Sequence, residues 1–215
     1  GIVMSDRKGL LVVISGFSGA GKGTLMKELL KKYDNYALSV SATTREPREG
    51  EVDGREYFFK TVEEFEAMIE KGELVEYAKY VSNYYGTPKA YVDKMMAEGK
   101  DVILEIEIQG AMNIKKMYPD AALIFVLPPS ADELKNRLVG RNTESIEVIE
   151  ARLKRASEES VGIENYDYVI INDDLDVCVK ETHSIIQSAK AAAMRNEEFI
   201  KIIQQELKDL SKGEK

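Results

Sequence analysis

The chain has 215 residues, 44% of them hydrophobic and 32% charged, with a formal net charge of −8 at pH 7. That length suits one α/β core or a core with small inserted lobes, and the composition has none of the polar low-complexity of a disordered chain. The acidic balance excludes a general nucleic-acid or anionic-membrane surface, so no nucleic acid and no membrane is expected as a partner, and any phosphate site must be local.

From the N-terminus, GIVMSDRKG lacks the apolar stretch of a signal peptide, and no apolar run reaches the roughly 18 residues of a membrane span. A single cysteine, Cys178, rules out an intrachain disulfide framework and fits a reducing, cytoplasmic location. LLVVIS at 10–15 is a continuous apolar run, as in a strand buried on both faces of a parallel sheet. It runs into GFSGAGKG at 16–23, and a helical pattern follows over 24–32.

That loop has the G-x4-G-K core of a phosphate-binding loop. Glycines let successive backbone N–H groups curl around phosphate oxygens, Lys22 neutralises charge, and the helix N-terminus adds its dipole. The last motif position is Gly23 instead of Ser or Thr, with Thr24 one place later. Thr24 is the candidate protein ligand for Mg2+; a metal held mainly by phosphates and water, with Glu105 behind it, is the alternative.

Residues 39–85 break the strand–helix rhythm. Short β-like pieces, GREYFFK and LVEYAKYV, flank a helix whose start at Thr61 and Glu64 reads as a capping box. Arg45 and Arg48 lie three apart around Pro47, with Tyr57 following, so two guanidinium forks and a phenol could converge on a second anion; solvated loop arginines are the plain alternative. Helical patterns at 89–98, 111–117 and 132–139 then alternate with apolar runs at 102–108, 122–127 and 168–171. Residues 140–160 read as a charged flap with Arg141, Arg152 and Arg155, its helix turning Ile146, Ile149 and Leu153 to one face. The final helical pattern, 175–210, is long enough to break once or to reach a partner subunit in a homo-oligomer. The fold class expected is α/β: a doubly wound parallel sheet over 5–38 and 86–210, an inserted mixed α/β lobe over 39–85, and a small helical lid at about 137–157.

Taken in order, GFSGAGKG, SATTREPREGEVDGREYFF, NYYGTPK, ILEIEIQGA, RLVGR and VIINDD resemble the guanylate kinase family over about residues 9–190. The resemblance implies a P-loop kinase that transfers phosphoryl from ATP, with Mg2+, to GMP. It implies an ATP site at Gly16, Ser18, Gly19, Ala20, Gly21, Lys22, Gly23, Thr24 and Asn172. The acceptor phosphate would meet Arg45, Arg48, Tyr57 and Tyr85, and guanine would meet Ser41, Glu76 and Thr87, with Gly86, Glu105 and Glu107 alongside. Lys22, Arg45, Arg137, Arg141 and Arg152 would supply catalytic positive charge. Glu105-Ile-Glu107 stands where the family commonly has Asp-Ile-Asp, and Phe17 where it usually has Pro. A carboxylate such as Glu76 suits guanine on chemical grounds, because its two oxygens accept from N1–H and the N2 amine together. Two other readings stand beside this one: a catalytically silent module that binds phosphorylated peptides, and a kinase for another nucleoside monophosphate, toward which the GKGT spelling of the loop leans.

Overall fold

The computed structural model describes residues 8–140 and 145–213. Its centre is a five-stranded sheet ordered β2 (Tyr36–Leu38), β7 (Asp101–Glu105), β1 (Leu11–Gly16), β8 (Ala122–Leu127) and β9 (Tyr168–Ile171). Every neighbouring pair is parallel. Alternation along β1 explains why this strand reads as unbroken apolar sequence. Leu11 and Val13 enter one core and Val12 and Ile14 the other, so both faces are covered. Helices α1 (Lys22–Lys32) and α7 (Leu175–Lys190) cover the second face through Leu25, Leu29, Cys178 and Ile186. The first face is covered by α3 (Lys89–Ala97), α4 (Ile108–Met117) and α5 (Ala131–Val139), through Val92, Ile114 and Leu134.

A second, four-stranded sheet is ordered β4 (Tyr57–Phe59), β3 (Ser41–Thr43), β6 (Asn83–Pro88), β5 (Leu74–Tyr80). Strands β3 and β4 are parallel, whereas β6 is antiparallel to both β3 and β5. Helix α2 (Val62–Glu70) packs on it, started by the capping box that the sequence suggests: Thr61 Oγ1 accepts from the Glu64 N–H at 3.1 Å, and Glu64 Oε1 from the Thr61 N–H at 2.9 Å. The core here is small. Phe65 is fully buried between Ala42 and Leu74, and its ring stacks on Tyr84 with centroids 4.9 Å apart. Gly86 faces this core, and a Cβ there would lie 3.0 Å from both Phe65 Cζ and the Glu76 carbonyl oxygen, so a side chain would force ring or backbone to give way.

The structure refines three sequence expectations. Strand β7 stops at Glu105, not 108, because the Glu107 carboxylate caps α4, accepting from the Gln109 and Gly110 N–H groups at 2.9 and 2.8 Å. The late helix does break once: α7 ends at Lys190, and α8 (Glu197–Ser211) starts after a turn pinned by Arg195, which pairs with Asp120 at 2.8 Å and donates to the Lys8 carbonyl at 2.6 Å. The flap helix α6 spans Ile146–Ser160, while Arg141 lies outside the described residues. Among the described residues, no helix is long and apolar enough to cross a membrane.

The four-stranded sheet leans on one large side chain. Phe65→Ala should cost about 3–5 kcal/mol of local stability. Hydrogen exchange should show faster opening of β3 to β6, with the five-stranded sheet still protected.

Candidate active site

The loop after β1 owes its shape to glycines where side chains are excluded. Gly19 and Gly21 both sit at φ 85°, in the left-handed region, and a Cβ on Gly21 would approach Asn172 Nδ2 to 2.5 Å. Helix α1 starts at Lys22 with no side chain capping its first amides, so those N–H groups remain available to an anion. The loop's carbonyls are tied from outside. Asn172, itself buried, donates Nδ2 to the Ala20 carbonyl at 2.9 Å, and Arg137 donates to the carbonyls of Ala20 and Asn172 at 3.4 and 2.9 Å. Lys22 Nζ donates to the Gly16 carbonyl at 3.1 Å and lies 3.7 Å from Glu105.

Thr24 is exposed at the mouth of this loop, and Gly23 faces open space, so no packing demand accounts for the missing hydroxyl at 23. Among the described residues, no group of three or more His, Cys, Asp or Glu side chains could cage a metal. The oxygen donors at hand, Thr24 and the half-exposed Glu105, suit a Mg2+ that nucleotide phosphates and water hold for the most part.

On the four-stranded sheet, register brings Glu76 opposite Thr87. Thr87 is buried and donates its hydroxyl to Glu76 Oε1 at 2.7 Å. Burial pushes the Glu76 carboxyl above its usual range, the Thr87 bond opposes this, and the nearby negative charge of Glu107 adds to the rise. Arg45 lies over the Tyr57 ring, 5.1 Å from its centroid, and the Tyr57 and Tyr85 rings are 6.0 Å apart. The Arg45 guanidinium donates from both terminal nitrogens to Glu51, at 3.0 and 2.9 Å. That fork, with the Arg48 N–H, holds the Glu51 carboxyl below its usual range. Ser41 lies on the neighbouring strand, paired with Tyr57, and Arg48 stays exposed in the loop between β3 and β4.

A cleft of about 900 Å³ joins the two halves. The phosphate loop, Lys22, Thr24, Glu105 and Glu107 form one wall, with Arg152 and Arg155 of α6 and Tyr80 at the tip of the β5–β6 hairpin opposite. Tyr57, Glu76 and Tyr85 lie on the four-stranded sheet and Arg45 and Arg48 in its β3–β4 loop, and none of them is among the cleft's walls. Sequence reasoning missed Glu51, Tyr80 and Ser15. Glu51 pairs with Arg45 through an irregular loop, and Ser15 donates to the Ile106 carbonyl at 2.6 Å from inside an apolar run, so neither carries a periodic signal.

The sequence model of the guanylate kinase family matches residues 8–189. The chain belongs to the guanylate kinase family. It is 56% identical over 197 residues to a guanylate kinase of Clostridioides difficile, covering 92% of this chain and 96% of that protein. Identity to a guanylate kinase of Caldanaerobacter subterraneus is 51% over 200 residues, covering 93% and 97% of the two chains. The crystal structure of guanylate kinase from Anaplasma phagocytophilum superposes with a TM-score of 0.67 at 32% identity, covering 88% of this chain and 90% of that one. The core sheet with its loop is thus the P-loop kinase arrangement of that family.

The brace behind the loop has a measurable worth. Asn172→Ala strips the Ala20 carbonyl of its best-placed donor, which should lower stability by about 1–2 kcal/mol in denaturant unfolding and raise KM for ATP.

Proposed function

We propose that this chain transfers the γ-phosphoryl group of ATP to GMP, giving ADP and GDP. The observation that carries the reading is the Glu76–Thr87 pair: a half-buried carboxylate, fixed by a buried hydroxyl, one sheet away from an anion-binding loop. Guanine offers two adjacent donors to such a carboxylate. Adenine presents a lone pair at N1 in the same place and is repelled, and sites built on such bonds reject the wrong partner by roughly 10⁴ or more.

In this reading residues 39–85 act as the acceptor lobe of a core made of 5–38 and 86–210, with a lid at about 137–157. Arg45 and Arg48 take the GMP phosphate, with Tyr57 and Tyr85 beside it, and Ser41 and Thr87 help seat guanine. Glu107 lies near Glu76, and Gly86 keeps the strand close. The loop from Gly16 to Thr24 cradles the phosphates of ATP, with Lys22 at the transferred group and Asn172 on the adenine side. Arg137, Arg141 and Arg152 bring further positive charge from the lid. Mg2+ entering with ATP would neutralise charge on its phosphates, held for the most part by those phosphates and water, with Thr24 the candidate protein ligand and Glu105 behind it. No general base is required, because a phosphate monoester with a second pKa near ~6 is already dianionic at neutral pH. The single histidine, His183, is engaged far from the cleft, stacked on Tyr33 and bonded to the Tyr36 hydroxyl. Closure of the acceptor lobe over GMP and of the lid over ATP would exclude water, which would otherwise accept the phosphoryl group. We place the reaction in the cytoplasm, where ATP and GMP are supplied and a thiol such as Cys178 stays reduced.

Turnover measured side by side with GMP, AMP, CMP and UMP tests the assignment. Activity confined to GMP supports it; preference for another acceptor, or no turnover with any, overturns it. Lys22→Met should lower kcat by at least ~10² with GMP binding retained, since a charge facing the reacting phosphoryl is lost.

Glu76→Gln turns one acceptor oxygen into a donor aimed at a donor, and kcat/KM for GMP should fall by at least ~10² while KM for ATP stays put. The pH dependence has a definite sign. Guanine needs the ionised carboxylate, and burial makes Glu76 take up its proton at a higher pH than an ordinary glutamate. KM for GMP should therefore rise on acidification at a pH above the usual carboxylate range. The Gln variant should lack that limb and keep only the limb due to GMP's own phosphate.

A further inference from the structure

Strand β1 is apolar from Leu11 to Ile14, and then a hydroxyl appears. Ser15 is 2% exposed in the middle strand of the five, so its hydroxyl has to be satisfied inside the protein. It donates to the Ile106 carbonyl at 2.6 Å. The bond sits where the sheet opens. The ladder between β1 and β7 ends at Ile14 and Glu105, whereas on its other side β1 stays paired with β8 through Ser15 with Phe125 and Gly16 with Val126. Beyond Ile14, then, β7 departs toward α4 while β1 runs on into the phosphate loop. From a base that β8 holds fixed, the Ser15 side chain takes the place of the ladder for one more step.

Lys22 reaches across this opening. Its Nζ donates to the Gly16 carbonyl at 3.1 Å on one segment and lies 3.7 Å from Glu105 on the other. Both acceptors adjoin the tie, for Gly16 follows Ser15 and Glu105 precedes Ile106. The spacing of the two groups that share the ammonium is therefore set by the bond between their chain neighbours. We propose that Ser15 is a positioning residue for Lys22: its hydroxyl holds the Gly16 and Glu105 segments at the separation that keeps the ammonium at the mouth of the phosphate loop, aimed at the phosphates of ATP. With the tie cut the segments can spread, and Lys22 then follows one acceptor and leaves the place between them. Support of this kind matters, because displacing a group by about 1 Å can cost ~10²-fold in rate.

Ser15→Ala and Ser15→Cys remove the donor, the second at nearly constant size, since a thiol packs as a small hydrophobe and donates weakly. Both variants should lower kcat about 10-fold with KM for GMP unchanged, and both should weaken ATP binding about 5-fold in calorimetry on the full chain. In a Lys22→Met background the same substitutions should change neither quantity by more than about 2-fold, because effects that pass through one residue do not add. A hydroxyl with a merely structural role would cost as much in both backgrounds. The turnover arm rests on the transfer to GMP proposed above, whereas ATP binding needs no acceptor. A chain that binds ATP and fails to phosphorylate GMP therefore overturns that reading and leaves calorimetry to decide the role of Ser15. Wild-type ATP affinity in both Ser15 variants overturns the positioning role, as does an equal loss in the Lys22→Met background.

Discussion

The site depends on keeping the carbonyls of the phosphate loop turned away from the space its amides enclose. A peptide loop has as many acceptors as donors, and it attracts an anion only if the acceptors are occupied elsewhere. Here Ala20 is held by Asn172 and Arg137, and Gly16 by Lys22. The first brace comes from the end of β9 and the second from α5, so the loop's shape is set by strands and helices more than a hundred residues away in the chain. The position follows from topology: β1 lies between β7 and β8, where successive connections leave in opposite directions, and the crevice at the carboxyl ends of parallel strands opens there.

The four-stranded sheet works under a different constraint. It has only a small core, so polar contacts do much of the positioning. Arg45 is held in a bidentate pair by Glu51 and supported by the Tyr57 ring. In the function proposed above, a phosphate reaching Arg45 has to share or displace a carboxylate that already matches the guanidinium fork. The pair therefore fixes the orientation of the Arg45 guanidinium. Glu76 obeys the same logic with opposite sign: burial raises the free energy of its charged form, and a ligand with two donors relieves what burial imposes.

How much of this the sequence reveals depends on whether a feature is periodic. Buried parallel strands such as β1 and β8 stand out as apolar runs, and the Thr61 capping box is legible because both partners lie within one turn of helix. Strand β2 has three residues at a sheet edge and leaves no run to recognise. The parallel pairing of β3 with β4 cannot be read from two three-residue pieces separated by a loop. At the site, the meeting of Glu76 with Thr87 follows from the hairpin register of β5 and β6 and was accessible through family resemblance. The Arg45–Glu51 grip and the Asn172 brace were not, since each joins side chains across irregular backbone or across most of the chain.

Glu105 and Glu107 show how one methylene is put to use. Placed two residues apart at the end of β7, they separate into different tasks as the chain turns from strand to helix. Both oxygens of Glu107 accept from the first amides of α4, which fixes that carboxylate and spends part of its capacity to accept from a ligand. Glu105 leans the other way and reaches within 3.7 Å of Lys22 across the mouth of the loop. A shorter side chain at 105 would fall short of that ammonium. The lysine is thus poised between the Gly16 carbonyl and Glu105, two acceptors that a bound phosphate would outcompete, and its charge is held at the cleft without being buried in a single strong pair. In the function proposed above, guanine recognition falls chiefly to Glu76, the carboxylate of the three that is braced by a hydroxyl.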